Sequence, residues 1–311
     1  MAPGRGAGGA AARPTGGVLA LVSALLLWSL YPFYFRLVAF VPVGEITAHR
    51  ILWSTLLLAV WAPLAEGIAP LLRLFRRPRD LLGLVLSSAL LLAAWIAYVW
   101  AVTSDRVQEA SLGYFLSPLT AVAVGVLALR EPLRPAQRVA LALAVVAVAF
   151  ELWRTQTISV LALVLACAFS LYGALRKHLE VPPLTGLFVE CLVALPFALL
   201  WLAREAATAG LAFAHGGTLG LVLVLLSGAV TVAPLWLFHL GARRLPYVTV
   251  GILLYLPPSA VFLEAVWLFG EPLPVPRLLT FALVWAAVAV HTADAVLAAR
   301  RQAPSTAARG V

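Results

Sequence analysis

The segment EITAHR (45–50) is the densest group of ionisable residues in an otherwise apolar part of the sequence. On a helix, Glu45 and His49 share one face because they are four residues apart, and Arg50 points about 100° away from His49. Such residues are costly in lipid and therefore face a cavity or another polar group. They form either a ligand or proton site, or an ion-pair anchor to a neighbouring helix through Glu109. The sequence leaves both alternatives open.

A second polar group, in the segment EASLGYFLSP (109–118), opens a later apolar run. It contains Glu109, Ser111, Gly113 and Tyr114, and Pro118 follows near the middle of the run. A proline within a helix leaves the carbonyl four residues before it without a hydrogen-bond donor. The freed carbonyl here is that of Tyr114.

Pro257 and Pro258 interrupt an apolar run at the matching depth in the second half of the chain. Broken helices at corresponding positions in two halves are typical of a transporter site. We therefore predict a pocket at these breaks, lined by Tyr114 and Tyr255, with Gly251 as a further candidate. The alternative is simple kinking for shape, which is common in membrane helices.

Two other acids and three aromatic residues lie deep in apolar runs. Glu190 and Glu264 each cost several kcal/mol if unpaired in lipid, so they serve either proton coupling or helix contacts. Proton-coupled transport predicts that Glu45, Glu109, Glu190 or Glu264 changes its protonation during the cycle. Trp28, Tyr31 and Trp95 are candidates for a cage around a flat or cationic ligand, whereas aromatic residues nearer the ends of the runs suit the membrane interface.

Motifs of several enzyme classes are missing from the sequence. The only lysine, Lys177, follows Arg176 and so cannot belong to a P-loop. No histidine precedes a glutamate as in a zincin, and no serine has the glycine spacing of a nucleophile elbow. We expect no catalytic residue, no metal, no cofactor and no enzyme activity.

The apolar runs themselves predict a membrane protein. The 311 residues are 63% hydrophobic and 11% charged, too few charges for a soluble surface. Charge-free gaps separate Arg13 from Arg36, Asp80 from Asp105, and Arg154 from Arg176, and each suits a helix crossing about 30 Å of hydrocarbon. Long Leu/Ala/Val runs without alternation indicate helices rather than a barrel.

An all-α integral membrane fold with ten transmembrane helices follows. The predicted spans are 16–35, 45–64, 81–102, 108–129, 137–153, 157–176, 185–203, 217–240, 246–269 and 277–298. The small and turn-forming residues of AATAGLAFAHGGT (206–218) predict a loop before the eighth span.

The formal charge of +9 sits mainly in loops, which indicates membrane orientation and not nucleic-acid binding. Sixteen of the 22 Lys and Arg residues fall on one side when the N-terminus is cytoplasmic, and five on the other. This excess predicts that the tails 1–15 and 299–311 are both cytoplasmic.

The second half of the chain resembles the first. SPLTAVAVGVLALREPL (117–133) aligns with PPSAVFLEAVWLFGEPL (257–273), and WSLY (28–31) aligns with FSLY (169–172) at nearly the same offset. The repeated unit holds five helices, so the second copy must enter the bilayer the other way up. We predict a 5+5 inverted-topology repeat, with copies at 16–154 and 155–298.

The segments EITAHRILWS (45–54), EASLGYFLSPL (109–119) and SLYGALRKHLEVPPLTGLFVE (170–190), with the two E-P-L elements, resemble the RarD branch of the EamA family. This family belongs to the drug/metabolite transporter superfamily. The resemblance covers about residues 16–298 and implies a bacterial inner-membrane carrier with alternating access.

The resemblance also implies that the first, third, fourth, sixth, eighth and ninth spans surround a central cavity. The residues that match its signature positions are Glu45, His49, Arg50, Glu109, Ser111, Gly113 and Tyr114. The Pro257-Pro258 pair departs from the single proline expected in the ninth span.

The sequence thus predicts a secondary transporter, an exporter or exchanger of a small metabolite or drug-like solute. Its expected partners are the lipid bilayer, the solute, protons and a second copy in a homodimer. The alternative function is a membrane-embedded enzyme or a non-transporting receptor subunit.

Overall fold

The computed structural model describes residues 14–104, 106–156, 159–267 and 275–302. Every regular element in these ranges is helical. The helices are α1 (Pro14–Ser29), α2 (Tyr31–Leu37), α3 (Val43–Glu66), α4 (Ala69–Leu74), α5 (Pro78–Thr103), α6 (Val107–Leu127), α7 (Pro135–Thr155), α8 (Val160–His178), α9 (Pro183–Thr208), α10 (Gly217–Ala242), α11 (Tyr247–Leu253), α12 (Leu256–Trp267) and α13 (Val275–Gln302), with a 3-10 turn at Ala212–Gly216.

Ten segments of the described chain are long and apolar enough to cross a membrane, which confirms the ten predicted spans. The first span comprises α1 and α2, and the ninth comprises α11 and α12. The others are, in order, α3, α5, α6, α7, α8, α9, α10 and α13, while α4 is a short connecting helix. The seventh span continues to Thr208, beyond its predicted end at 203. Residues 1–13 of the predicted tail 1–15, residues 303–311 of the predicted tail 299–311, and the second E-P-L element at 271–273 lie outside the described residues.

The proline interruptions act differently in the fourth and ninth spans. In the ninth, α11 ends at Leu253 and α12 starts at Leu256, as expected where Pro257 and Pro258 remove two donors. In the fourth, α6 continues through Pro118, so only one of the two expected breaks occurs. Within α6, Ser117 Oγ donates to the carbonyl of Gly113 at 2.9 Å.

Helix contacts in one half correspond to helix contacts in the other. Helices in equivalent positions pack together as the pairs α3–α9, α6–α11 and α7–α13. The α1–α10 contact corresponds to α5–α8, the α6–α8 contact to α1–α12, and the α3–α10 contact to α5–α9. Two five-helix units related by a two-fold axis produce this exchange of partners, as in transporters with inverted repeats.

Two candidate residues, Gly113 and Gly251, allow helices to approach closely. A Cβ at Gly113 would lie 2.8 Å from Leu165 Cβ on α8, and one at Gly251 would lie 2.8 Å from the Val122 backbone nitrogen on α6. Small residues at helix crossings are the usual means of close packing in membranes. These glycines therefore bring α6 against α8 and α11.

Candidate functional site

Arg50, in the second turn of α3, lies between the two halves of the chain. Its Nε donates to Thr231 Oγ1 of α10 at 2.9 Å. Its Cζ lies 5.5 Å from the ring centroids of Phe35 and Trp95, and 5.6 Å from that of Tyr31. Guanidinium groups at such distances from aromatic faces are held by cation–π attraction. Four helices, α2, α3, α5 and α10, thereby position one charge.

Arg50 has no acidic partner in the described part of the chain, although it is only 9% exposed. The nearest acid along its own helix, Glu45, uses its carboxylate elsewhere, accepting from the backbone N–H groups of Ala212 and Phe213 at 3.0 and 2.9 Å. The Arg50 charge is therefore surrounded, among the described residues, by aromatic faces and neutral dipoles.

Tyr98 of α5 and Tyr114 of α6 extend this group. Their ring centroids are 5.9 Å apart, and Tyr98 shares a face of α5 with Trp95, three residues before it. Tyr114 is nevertheless 48% exposed, so nearly half of its side chain is free of contacts with the described chain. We call the residues Tyr31, Arg50, Trp95, Tyr98 and Tyr114 the central site.

Among the predicted aromatic residues, Tyr31 and Trp95 belong to the central site, and Trp28 lies next to it. The Tyr31 hydroxyl donates to the carbonyl of Val230 at 2.9 Å. Trp28 packs against Phe169 at 5.6 Å and Phe238 at 5.5 Å between ring centroids. The three residues thus lie at neighbouring depths on a continuous aromatic surface.

Glu190 lies in a separate buried network. Its Oε1 is 3.0 Å from Arg176 Nε, its Oε2 accepts from the Tyr172 hydroxyl at 3.2 Å, and Ser87 also donates to it. The Tyr172 hydroxyl lies 2.7 Å from His239 Nε2. The network joins α5, α8, α9 and α10. Its two charged groups are paired, because an unpaired charge is costly in a buried position.

A small cavity lies between this network and the central site. Its volume is about 10 Å³, and its walls include Trp95 and Glu190. A space of this size is at the lower limit for one water molecule. Trp95 separates it from Arg50, because the Trp95 ring stacks on the guanidinium.

Glu45 contacts the segment before α10 through backbone N–H groups, and not through an ion pair with Glu109. Glu45 caps the 3-10 turn that precedes α10, and His49 Nε2 lies 3.8 Å from Glu45 Oε1. Glu109 contacts Arg106 Nε at 2.5 Å and accepts from Ser159 instead. The contacts of Glu45 and Glu109 are thus with backbone and nearby loop residues.

The same capping arrangement occurs at two further glutamates. Glu66 accepts from the backbone N–H groups of Leu184 and Thr185 at 3.0 and 2.8 Å. Glu131, in the first E-P-L element, accepts from those of Tyr247 and Val248 at 2.7 and 2.9 Å. A carboxylate at a helix N-terminus satisfies otherwise unpaired donors and complements the helix dipole. The E-P-L glutamate thereby fixes the start of the ninth span.

The structure does not bring Tyr255 together with Tyr114. Tyr255 is 1% exposed, and its ring lies 5.7 Å from that of Phe115 in an apolar cluster. Its hydroxyl has no hydrogen-bond partner among the described residues. The fourth and ninth spans hold five other predicted candidates. Ser111 is exposed, Pro118 is buried, and Pro257, Pro258 and Glu264 are partly buried.

Several residues of the site were not predicted from the sequence. Tyr98 follows Trp95 by three residues, a spacing that places both on one helix face and that could have identified it. Thr231, Phe35 and Arg176 carry no such local signal. Among the described residues, no group of three or more His, Cys, Asp or Glu side chains could hold a metal ion.

Comparison with known proteins agrees with this architecture. Residues 15–153 match the EamA-like transporter family. An uncharacterized transporter of Pseudomonas aeruginosa is 40% identical over 280 residues, which cover 90% of this chain and 94% of the relative. Protein RarD of Escherichia coli is 35% identical over 289 residues, covering 92% and 96%.

A solved crystal structure has the same fold, with a TM-score of 0.67, 21% sequence identity, and coverage of 88% of this chain and 96% of the other. With ten apolar spans and RarD relatives along most of its length, this chain is a multi-pass membrane protein that belongs to the EamA family of transporters, in the RarD branch of the drug/metabolite transporter superfamily.

Proposed function

We propose that this protein is a secondary transporter that moves a small metabolite or drug-like solute across the bacterial inner membrane by alternating access, as an exporter or exchanger. The observation that carries the proposal is the position of Arg50. It lies at the contact between the halves, bonded to Thr231 of the second half and surrounded by aromatic residues of the first. Transporter sites occur at such interfaces between repeats.

The moving units in this proposal are the copies at 16–154 and 155–298, with both tails cytoplasmic. The exchange of helix partners between halves supports this division, and the family match ends at residue 153, next to the proposed boundary. The excess of basic residues in the proposed inner loops supports the orientation.

In this orientation, the central site lies in the outer half of the membrane and the Glu190 network in the inner half. The exposed Tyr114 surface then faces an outward-open space. The bonds among Ser87, Tyr172, Arg176 and Glu190 join three helices below that space and close the inner side. Transport requires these inner contacts to separate when the outer side closes.

Flux into proteoliposomes tests the proposal. Vesicles containing the purified full chain are incubated in a bacterial metabolite extract, and their contents are compared by mass spectrometry with those of protein-free vesicles. We expect at least one solute to enter faster with the protein, and Tyr114→Ala to slow that entry. Equal contents in both vesicle types would contradict transport, and a new product absent from the extract would favour a membrane-embedded enzyme.

A further inference from the structure

Arg50 has no counter-charge among the described residues, and in this it differs from Arg176, the other buried arginine of the described chain. Arg176 is similarly buried, at 2% exposure, yet it lies 3.0 Å from Glu190 Oε1. Arg106 and Arg154, at helix ends, also have carboxylate partners. A buried charge without a partner costs several kcal/mol, which is retained only where something else compensates it.

The orientation of the Arg50 side chain suits a bound anion. Thr231 Oγ1 accepts from Nε and restrains the plane of the guanidinium, and this bond leaves the two terminal nitrogens for other partners. Two terminal nitrogens in one plane match the two oxygens of a carboxylate, a geometry that a single lysine charge lacks. A solute would reach them beside Tyr114, whose side chain is 48% exposed.

The walls of the central site suit an apolar body attached to that anion. The walls are four aromatic rings whose only polar groups are hydroxyls and one indole N–H. These rings belong to Tyr31, Trp95, Tyr98 and Tyr114. The resident guanidinium already occupies the faces of Tyr31 and Trp95 and repels a second cation. The single positive charge of Arg50 is matched by a solute with a single negative charge.

We propose that the transported solute is a small organic monoanion, with a carboxylate bound by the terminal nitrogens of Arg50 and an apolar or aromatic body against Tyr98 and Tyr114. This proposal rests on the proposed transport function and names the substrate class of the same site.

A binding experiment on the purified full chain in detergent tests the charge requirement without requiring transport. The probes are acetate, benzoate, 3-phenylpropionate, indole-3-acetate and octanoate, each paired with its neutral amide, and 3-phenylpropylamine as a cation. We expect at least one carboxylate to bind at least tenfold more tightly than its amide, and the amine not to bind.

The variants assign the effect to Arg50. Arg50→Gln should weaken binding of that carboxylate at least tenfold, Arg50→Lys should weaken it less, and Thr231→Val, which removes only the orienting bond, should weaken it several-fold. Arg204→Gln, at an exposed position of α9, is the matched control and should bind as the wild type does. Thermal unfolding of each variant identifies any that fails to fold.

Three results would overturn the proposal: no carboxylate binds, the amides or the amine bind as tightly as the carboxylates, or folded Arg50→Gln binds the carboxylate as tightly as the wild type. Flux separates this failure from that of the transport function. A carboxylate that binds through Arg50 but never crosses the vesicle membrane would contradict transport alone, whereas flux of neutral solutes that Arg50→Gln leaves unchanged would contradict the anion site alone.

Discussion

Arg176 Nε lies 3.0 Å from Glu190 Oε1, and both side chains are almost completely buried. Tyr172 and Ser87 satisfy further sites on the same carboxylate. Arg50, the other buried arginine of this region, has neutral neighbours instead. We therefore propose different functions for the two arginines: Arg176 holds helices together, whereas Arg50 is available to a solute.

This difference predicts that substitution by glutamine has opposite effects on stability at Arg176 and Arg50. Arg176→Gln leaves Glu190 as an unpaired buried charge, a change that costs about 3–5 kcal/mol in buried ion pairs. Arg50→Gln removes an unpaired charge, so it should leave the melting temperature unchanged or raise it. Thermal unfolding of the purified variants in detergent checks both, with Arg204→Gln as the control. Equal destabilisation by Arg50→Gln and Arg176→Gln would show that Arg50 is structural as well.

The capping glutamates make a second prediction. Glu131→Ala removes the acceptor for the N–H groups of Tyr247 and Val248, and unsatisfied buried donors cost about 1–3 kcal/mol each. We expect a lower melting temperature for Glu131→Ala, and likewise for Glu45→Ala. Glu131→Gln keeps one carbonyl oxygen and should recover part of the loss. Stability of Glu131→Ala equal to the wild type would contradict the capping role.

Much of the fold was predictable because each span leaves a local signal in the sequence. Charge-free runs located all ten spans, and the Pro257-Pro258 pair located the break between α11 and α12. The cost of charges in lipid also identified Arg50 and Glu190 as residues of interest. These properties depend on residues close together in the chain.

The partners of those residues depend on helix rotation and crossing, which the sequence does not encode locally. Arg176 is the last residue of the predicted sixth span, next to Lys177, but it is buried because Gly186 on α9 leaves room for its guanidinium. Thr231 reaches Arg50 across the two halves of the chain. The sequence predicts Tyr255 in the pocket, but Tyr255 lies in the turn between α11 and α12 and packs against Phe115 in the apolar cluster.

Tyr114 and Tyr255, which the sequence predicts to line one pocket, should respond differently to substitution. Tyr255→Phe removes a hydroxyl without a described partner and should preserve or raise stability, whereas Tyr255→Ala leaves a cavity and should cost about 3–5 kcal/mol. Tyr114→Ala should slow transport with little change in the melting temperature, because Tyr114 is half exposed.

Tyr247→Phe is the control for the hydroxyl effect. The Tyr247 hydroxyl donates to the Ser170 carbonyl at 2.6 Å, so its removal should cost about 1–2 kcal/mol. Unfolding temperatures measured together for Tyr255→Phe and Tyr247→Phe compare a hydroxyl that lacks a described partner with one that is bonded. A larger loss for Tyr255→Phe would mean that its hydroxyl has an essential partner.

Glu190 is the strongest of the four predicted proton-coupling residues, the others being Glu45, Glu109 and Glu264. It is 1% exposed, and both the Tyr172 hydroxyl and the Arg176 guanidinium contact it, so opening of the inner side must change its surroundings. A carboxylate whose partners change during the cycle can take up and release a proton. Glu45 and Glu109 have backbone or loop partners at helix ends and offer no such change.

We therefore expect Glu190→Gln to abolish solute accumulation driven by an imposed pH gradient while solute exchange at equal pH continues. Glu109→Gln is the matched control and should retain both activities. Proteoliposomes with a pH jump across the membrane measure accumulation, and preloaded vesicles measure exchange. Gradient-driven flux that survives glutamine at all four acids would exclude proton coupling through them. Loss of exchange as well as accumulation in Glu190→Gln would assign Glu190 to the opening of the inner contacts, since exchange requires that opening but no net proton movement.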